Sequence, residues 1–63
     1  MANYRGTYEA FIDNANDEQG SINIVADSQS EAVSKLDAFL NSKFSKQLSE
    51  GTITLSRECR LEI

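Results

Sequence analysis

The sequence predicts an α+β fold with the order strand, strand, helix, strand, in which one helix packs on one face of a three-stranded antiparallel sheet. Polar and apolar residues alternate with a period of two in three segments, which is typical of half-buried strands. Between the second and third of these segments, apolar residues recur at helical spacing. A chain of 63 residues is expected to form a single domain, residues 1–63.

The first two strands are predicted from alternation on either side of a polar loop. Apolar or small residues occupy the even positions over residues 4–13, with Phe11 as the exception on the polar side. The polar segment 13–20 ends in glycine and predicts a hairpin loop. A second strand over 21–27 follows, with Val25 as its apolar exception. The two strands are therefore expected to pair as an antiparallel hairpin.

The helix is predicted to begin at a capping box. The Ser28 hydroxyl can accept from the backbone N–H of Glu31, and the Glu31 side chain can reach back to the Ser28 N–H. Apolar spacing and a following glycine place the helix over roughly residues 29–49. Lys43 falls within the apolar arc of a straight helix. Because Asn and Ser are poor helix-interior residues, a bend or break is expected near residues 41–42.

The third strand is predicted over residues 52–63, where the alternation is the most regular. Arg57 interrupts its apolar row, and an inward-pointing charge is a known protection of an edge strand. Placing this strand beside the first gives the sheet order 3-1-2 with antiparallel neighbours. Gly6 is expected to allow close approach of the helix. The predicted inward row of the sheet comprises Tyr4, Tyr8, Ile12, Ile22, Ile24, Ile53, Leu55, Cys59 and Leu61.

The composition disfavours most enzymatic chemistry. The chain has no histidine and a single cysteine, Cys59, which lies in the apolar row and is interpreted as structural. The acidic segment 13–18 lacks the glycine of a calcium loop, so a hydrated hairpin tip is expected there. The sequence therefore predicts a non-enzymatic protein without metal or cofactor. A lone cysteine and the lack of a long apolar run favour a cytoplasmic location.

The acidic residues concentrate in the first half of the chain, and the net charge is −4. Residues 1–31 hold six carboxylates against Arg5 alone. The face of the sheet opposite the helix is predicted to be uncovered, and Phe11 and Val25 can be neighbours there across the hairpin. This open surface is the predicted site of a protein partner. The candidate partner-binding residues are Glu9, Phe11, Asp13, Asp17, Glu18 and Val25.

These features favour a small acidic protein-binding module, an inhibitor of a nucleic-acid-handling complex whose carboxylates copy phosphates. In length and charge the chain resembles small phage-encoded inhibitors of host defence, such as anti-CRISPR proteins. That resemblance is one of type, carries no shared motif, and implies the host cytoplasm as the location. One alternative is a nucleic-acid-binding or regulatory protein that uses basic residues of the helix and third strand. Another is a structural subunit that self-assembles, or a homodimer, through an open sheet edge. The basic residues of the nucleic-acid-binding alternative are Lys35, Lys43, Lys46, Arg57 and Arg60.

Overall fold

The computed structural model describes residues 1–62, which form three strands and two consecutive helices. None of these helices is long and apolar enough to cross a membrane. In chain order the elements are β1 (Ala2–Ile12), β2 (Glu18–Ala26), α1 (Gln29–Lys43), α2 (Ser45–Glu50) and β3 (Ile53–Glu62).

The sheet has the predicted order, with β1 between β2 and β3 and both pairs antiparallel. Tyr4 of β1 lies opposite Ile24 of β2 and Leu61 of β3, so these three side chains share one face. We call this side, which α1 covers, the helix face. The open face is the other side, formed by odd-numbered residues of β1 and β2 and even-numbered residues of β3.

The core lies between α1 and the helix face. A Cβ added to Gly6 would lie 2.9 Å from Cδ1 of Ile24 and 3.0 Å from Cδ1 of Leu36. The predicted close approach of the helix at Gly6 is therefore confirmed. The buried core residues are Tyr4, Ala10, Ile24, Ala26, Ala32, Leu36, Leu40, Phe44 and Cys59.

The start of α1 follows half of the predicted capping box. The Ser28 Oγ accepts from the Glu31 backbone N–H at 3.1 Å, as expected. The Glu31 carboxylate accepts instead from the backbone N–H of Asp27 at 3.3 Å, so the predicted return bond to Ser28 is wrong. The carboxylate thus caps the residue before the N-cap, and the start of the helix keeps two stabilising bonds.

The predicted helix break is present, but it lies at Phe44 rather than near residues 41–42. Phe44 separates α1 from α2 with φ −113° and ψ 28°, while its N–H still donates to the Leu40 carbonyl at 2.9 Å. The Phe44 ring is buried in the core, whereas Lys43 is exposed with its Nζ 5.5 Å from the ring centroid. The break therefore lies between an exposed lysine and a second, short helix.

The hairpin loop is shorter than predicted. It covers residues 13–17, with Asn14 at a φ of 61°, and Glu18 already begins β2. Gly20 lies within the strand opposite Tyr8, and an added Cβ there would be 2.7 Å from the Tyr8 hydroxyl oxygen. This glycine therefore makes room for a tyrosine ring and does not end a loop.

At the far end of β3, the predicted burial of Leu61 is wrong. Leu61 has the parity of the helix face but is 53% exposed. The first residue of α1, Gln29, donates its side-chain amide to the Cys59 carbonyl at 3.1 Å, so the helix begins at the level of Cys59 and leaves Leu61 uncovered. The last position of the predicted strand, Ile63, lies outside the described residues.

Candidate functional site

The open face carries two exposed apolar side chains at its opposite ends. Phe11 is 44% exposed and Val25 is 46% exposed. Val25 lies opposite Asn3, eight positions before Phe11 along β1. At about 3.3 Å per residue the two side chains are roughly 26 Å apart, so the prediction that they can be neighbours is wrong. The error arose because strand alternation fixes the face of a residue but not its register with the next strand.

The hairpin end of the open face holds a shallow depression of about 270 Å³. Glu9 and Phe11 contribute from β1, and Gln19 lies opposite Glu9 on β2. Asp17, the last loop residue, and Glu18, the first strand residue, complete the lining. We call this site the hairpin-end depression. It brings together four of the six predicted partner-binding residues.

Glu18 occupies a different position from the one predicted for a loop tip. It pairs with Ala10, a core residue, and therefore has the parity of the helix face. Its side chain is nevertheless exposed, because it stands at the end of the strand, and it borders the depression from the side. The acidic rim of the depression, formed by Glu9, Asp17 and Glu18, thus extends around the end of the sheet.

Asp13 and Val25 lie outside the depression. Asp13 is exposed, and its backbone N–H donates to the Thr52 carbonyl at 2.8 Å, which ties the hairpin to the start of β3. Val25 stands at the other end of the sheet. Val25 therefore lies apart from the other predicted site residues, whereas Asp13 lies at the hairpin end without lining the depression.

The carboxylates of the depression differ from the other acidic groups of the open face in having no cationic partner. Within residues 1–62, Glu9, Asp17 and Glu18 form no salt bridge. By contrast, Glu62 lies 3.4 Å from the Arg5 guanidinium and Glu58 lies 2.8 Å from that of Arg60. Negative charge therefore concentrates at the hairpin end, where an external cation can meet it.

Gln19 and a second depression were missed by reasoning from the sequence. The middle of the open face holds a wide hollow of about 400 Å³, around which Thr7, Ser21 and Ser56 stand. Thr7 and Ser21 lie opposite one another, and Ser56 lies opposite Glu9 on the other side of β1. These small polar side chains leave room for the hollow, and they were visible in the alternation.

Lys35, Arg57 and Arg60 do not form one patch. Lys35 lies 3.2 Å from the Glu31 carboxylate and donates to the Val25 carbonyl at 2.6 Å, on the β2 side of α1. Arg57 is on the helix face, whereas Arg60 is on the open face with Glu58. This distribution disfavours a basic flank that binds phosphates, because such binding needs several free cations on one surface.

One ion pair links α1 to β3 across the helix face. Arg57 donates to Asp37 through both Nε and Nη2, the latter at 3.0 Å. This bidentate bond holds the pKa of the Asp37 carboxyl below its usual range and raises the pKa of Arg57. The hydrogen bond from Lys35, followed by the one from the Asp27 N–H, lowers the pKa of Glu31. Arg57, predicted as an inward charge, is therefore compensated by the helix.

The remaining reactive group is the buried thiol of Cys59. Burial raises its pKa, so the thiol stays neutral and poorly nucleophilic near pH 7. In the part of the chain that the structure describes, no three or more acidic, cysteine or histidine side chains are grouped so as to hold a metal ion.

Comparison with protein families, curated proteins and solved structures finds no match to this chain. The surface itself is therefore the basis for inferring a function. Its two distinguishing features are an uncompensated acidic rim and an exposed aromatic ring beside it.

Proposed function

We propose that this chain is a small non-enzymatic protein-binding module that inhibits a nucleic-acid-handling complex, in the manner of a phage anti-defence protein. The hairpin-end depression is its contact surface. Its carboxylates take positions that phosphates would occupy on the basic surface of the target. The module acts in the cytoplasm, that of the host cell if a phage encodes it.

The observation that carries this proposal is the contrast in charge along the open face. Glu9, Asp17 and Glu18 have no cationic partner in residues 1–62, whereas the arginines of the other end are paired with carboxylates. A basic groove on a target gains attraction only from uncompensated carboxylates, because paired ones must first release their arginines. The attraction is therefore directed to one end of the molecule.

Phe11 supplies the apolar part of the contact. Its ring is nearly half exposed and lines the same depression as the carboxylates. Aromatic residues surrounded by polar groups are frequent anchors of protein interfaces, because they bury a large area with little loss of conformational entropy. An aromatic anchor within an acidic rim favours a protein target over a free cation.

The absence of histidine and the neutral buried thiol support a non-enzymatic role. A single cysteine supports a reducing compartment, since secreted domains of this size usually carry disulfides. The scattered basic residues leave the acidic surface as the better-supported contact.

The proposal is tested by capture from a nuclease-treated bacterial lysate, with the bound proteins identified by mass spectrometry. We expect a basic complex that normally holds nucleic acid, and we expect an oligonucleotide to compete with the chain for it. The Glu9→Lys variant and the double variant Asp17→Lys with Glu18→Lys should each weaken binding to the purified complex at least about tenfold.

The matched control is Asp27→Lys, which makes the same charge change at the opposite end of the sheet. Asp27 is exposed and its only salt bridge within residues 1–62 is to the N-terminal amine at 3.6 Å. Binding by this variant should stay close to that of the unchanged chain. Equal losses for Glu9→Lys and Asp27→Lys, or no loss for either, would show that the hairpin-end depression is not the contact surface.

A further inference from the structure

The two edges of the sheet expose backbone groups whose direction can be read from helix contacts. The Val25 carbonyl accepts from Lys35 of α1, so the N–H and C=O groups of odd residues in β2 point away from β1. The Cys59 carbonyl accepts from Gln29, so the backbone N–H and C=O groups of odd residues in β3 also point away from β1. The two assignments are consistent with each other. In both, the backbone groups of even residues in β1 form hydrogen bonds with β2, and those of odd residues form hydrogen bonds with β3.

The second half of the β3 edge is protected by charge, and the middle of the β2 edge is not. Four of the ten residues of β3 are charged: Arg57, Glu58, Arg60 and Glu62. In β2 the only charged residue is Glu18 at its first position, and residues 19–26 are uncharged. Charged side chains are the usual protection of an edge strand against pairing, so the unpaired edge of β2 is open to another strand.

We propose that a second copy of this chain pairs with β2, antiparallel and about a twofold axis, to form a continuous six-stranded sheet. Lys35 already donates to the Val25 carbonyl. The backbone N–H and C=O groups of Gln19, Ser21 and Asn23 also point out of the sheet edge, and these remain available for pairing. A twofold axis must pass through the middle of this set. Ser21 therefore lies opposite Ser21 of the second copy, and Gln19 lies opposite Asn23.

The side chains are compatible with this register. On the helix face, Gly20 lies opposite Ile22 of the second copy. Because Gly20 has no side chain, the half-buried Tyr8 ring lies beside it, and Ile22 of the second copy can cover that ring. Beyond the paired residues, Asp17 lies opposite Val25 of the second copy, and Glu18 lies opposite Ile24, so neither carboxylate faces a like charge. An acidic chain can thus self-associate along an uncharged strand without placing like charges opposite one another.

Sedimentation of the full chain at submillimolar concentration tests the dimer. We expect the unchanged chain to sediment as a dimer and Ser21→Lys to sediment as a monomer, because two lysines would face each other at the axis. Ser56→Lys is the matched control, since Ser56 lines the same central hollow but bonds to β1. It should remain a dimer, and circular dichroism should show both variants folded. A monomeric unchanged chain would overturn the proposal.

Oxidation of a Ser21→Cys variant tests the register without disturbing charge. Residues that exchange both backbone bonds across an antiparallel pair have Cα atoms about 5.5 Å apart, a separation that a disulfide spans. We expect a covalent dimer on a non-reducing gel for Ser21→Cys and none for Ser56→Cys. Equal cross-linking of the two variants, or none at Ser21→Cys, would contradict pairing at this position. Neither measurement involves the target of the proposed inhibitor.

Discussion

Phenylalanine side chains lie on both sides of the sheet, in opposite environments. On the helix face, Phe44 is 2% exposed and contacts the Tyr8 ring, with their centroids 6.0 Å apart. On the open face, Phe11 is 44% exposed beside uncompensated carboxylates. Apolar burial, which stabilises the fold, is therefore concentrated on the helix face, whereas the open face leaves an aromatic ring partly in solvent.

Charge follows the same division. The helix face contains one arginine, Arg57, and α1 provides Asp37 to pair with it. The hairpin end of the open face contains Glu9 and Asp17 without cationic partners in residues 1–62. The ion pair of Arg57 and Asp37 thus lies where two layers meet, whereas the carboxylates at the hairpin end of the open face have no such partner.

The largest expected effect comes from truncating one phenylalanine on each face. Phe44→Ala should lower the free energy of unfolding by about 3–5 kcal/mol, because it empties a filled core site. Domains of this size have about 3–5 kcal/mol in total, so the variant should be largely unfolded. Phe11→Ala should cost less than about 1 kcal/mol. Urea titrations followed by circular dichroism measure both, and similar losses at the two positions would remove the distinction between the faces.

An intermediate effect is expected where the helix approaches the sheet. Gly6→Ala places a methyl group within 3.0 Å of Ile24 and Leu36 side-chain atoms and should cost about 1–2 kcal/mol through overpacking. The neighbouring Thr7→Ala, on the open face, should change stability by about 0.5 kcal/mol or less. Thermal unfolding of both variants tests this contrast. A stabilised Gly6→Ala variant would mean that α1 has room to move away from β1.

The smallest effect concerns the ion pair on the helix face and depends on pH. The pKa of Asp37 is lowered in the folded state, so its contribution to stability is complete above about pH 4 and is lost as the pH falls through the folded-state pKa. Both partners are more than one-third exposed, so solvent limits this contribution to less than about 1 kcal/mol.

Removing the carboxylate should therefore remove part of the acid sensitivity. Asp37→Asn should be slightly less stable than the unchanged chain at neutral pH, and the difference should shrink below about pH 4. Unfolding free energies across this pH range measure the effect. A difference that grows on acidification would show that Asp37 is not held in its charged form by Arg57.

The element order and the sheet order could be predicted from the sequence, because each depends on a local pattern. Alternation identified the three strands, and helical spacing identified the connection that returns the chain beside β1. What failed depended on tertiary contacts. Gly20 was assigned to a loop because nothing local shows that Tyr8 lies over it. The helix break was predicted near residues 41–42 from residue preferences alone, and it lies at Phe44.

The candidate site was predictable to the same extent. Glu9 and Phe11 were predicted on the open face and Asp17 and Glu18 at the hairpin tip, and the structure brings these four residues around one depression. Val25 was grouped with them by face alone, and the register places it at the other end of β1. Local spacing thus located the acidic end, whereas contacts between strands had to come from the structure.

The most direct measurement of the division between the two faces is the affinity of the Phe11→Ala variant for the captured complex, taken together with its unfolding curve. We expect binding to weaken at least about tenfold, as for an interface anchor, while the unfolding midpoint changes little. Unchanged affinity, or a loss of stability as large as that of Phe44→Ala, would contradict the assignment of recognition to the open face.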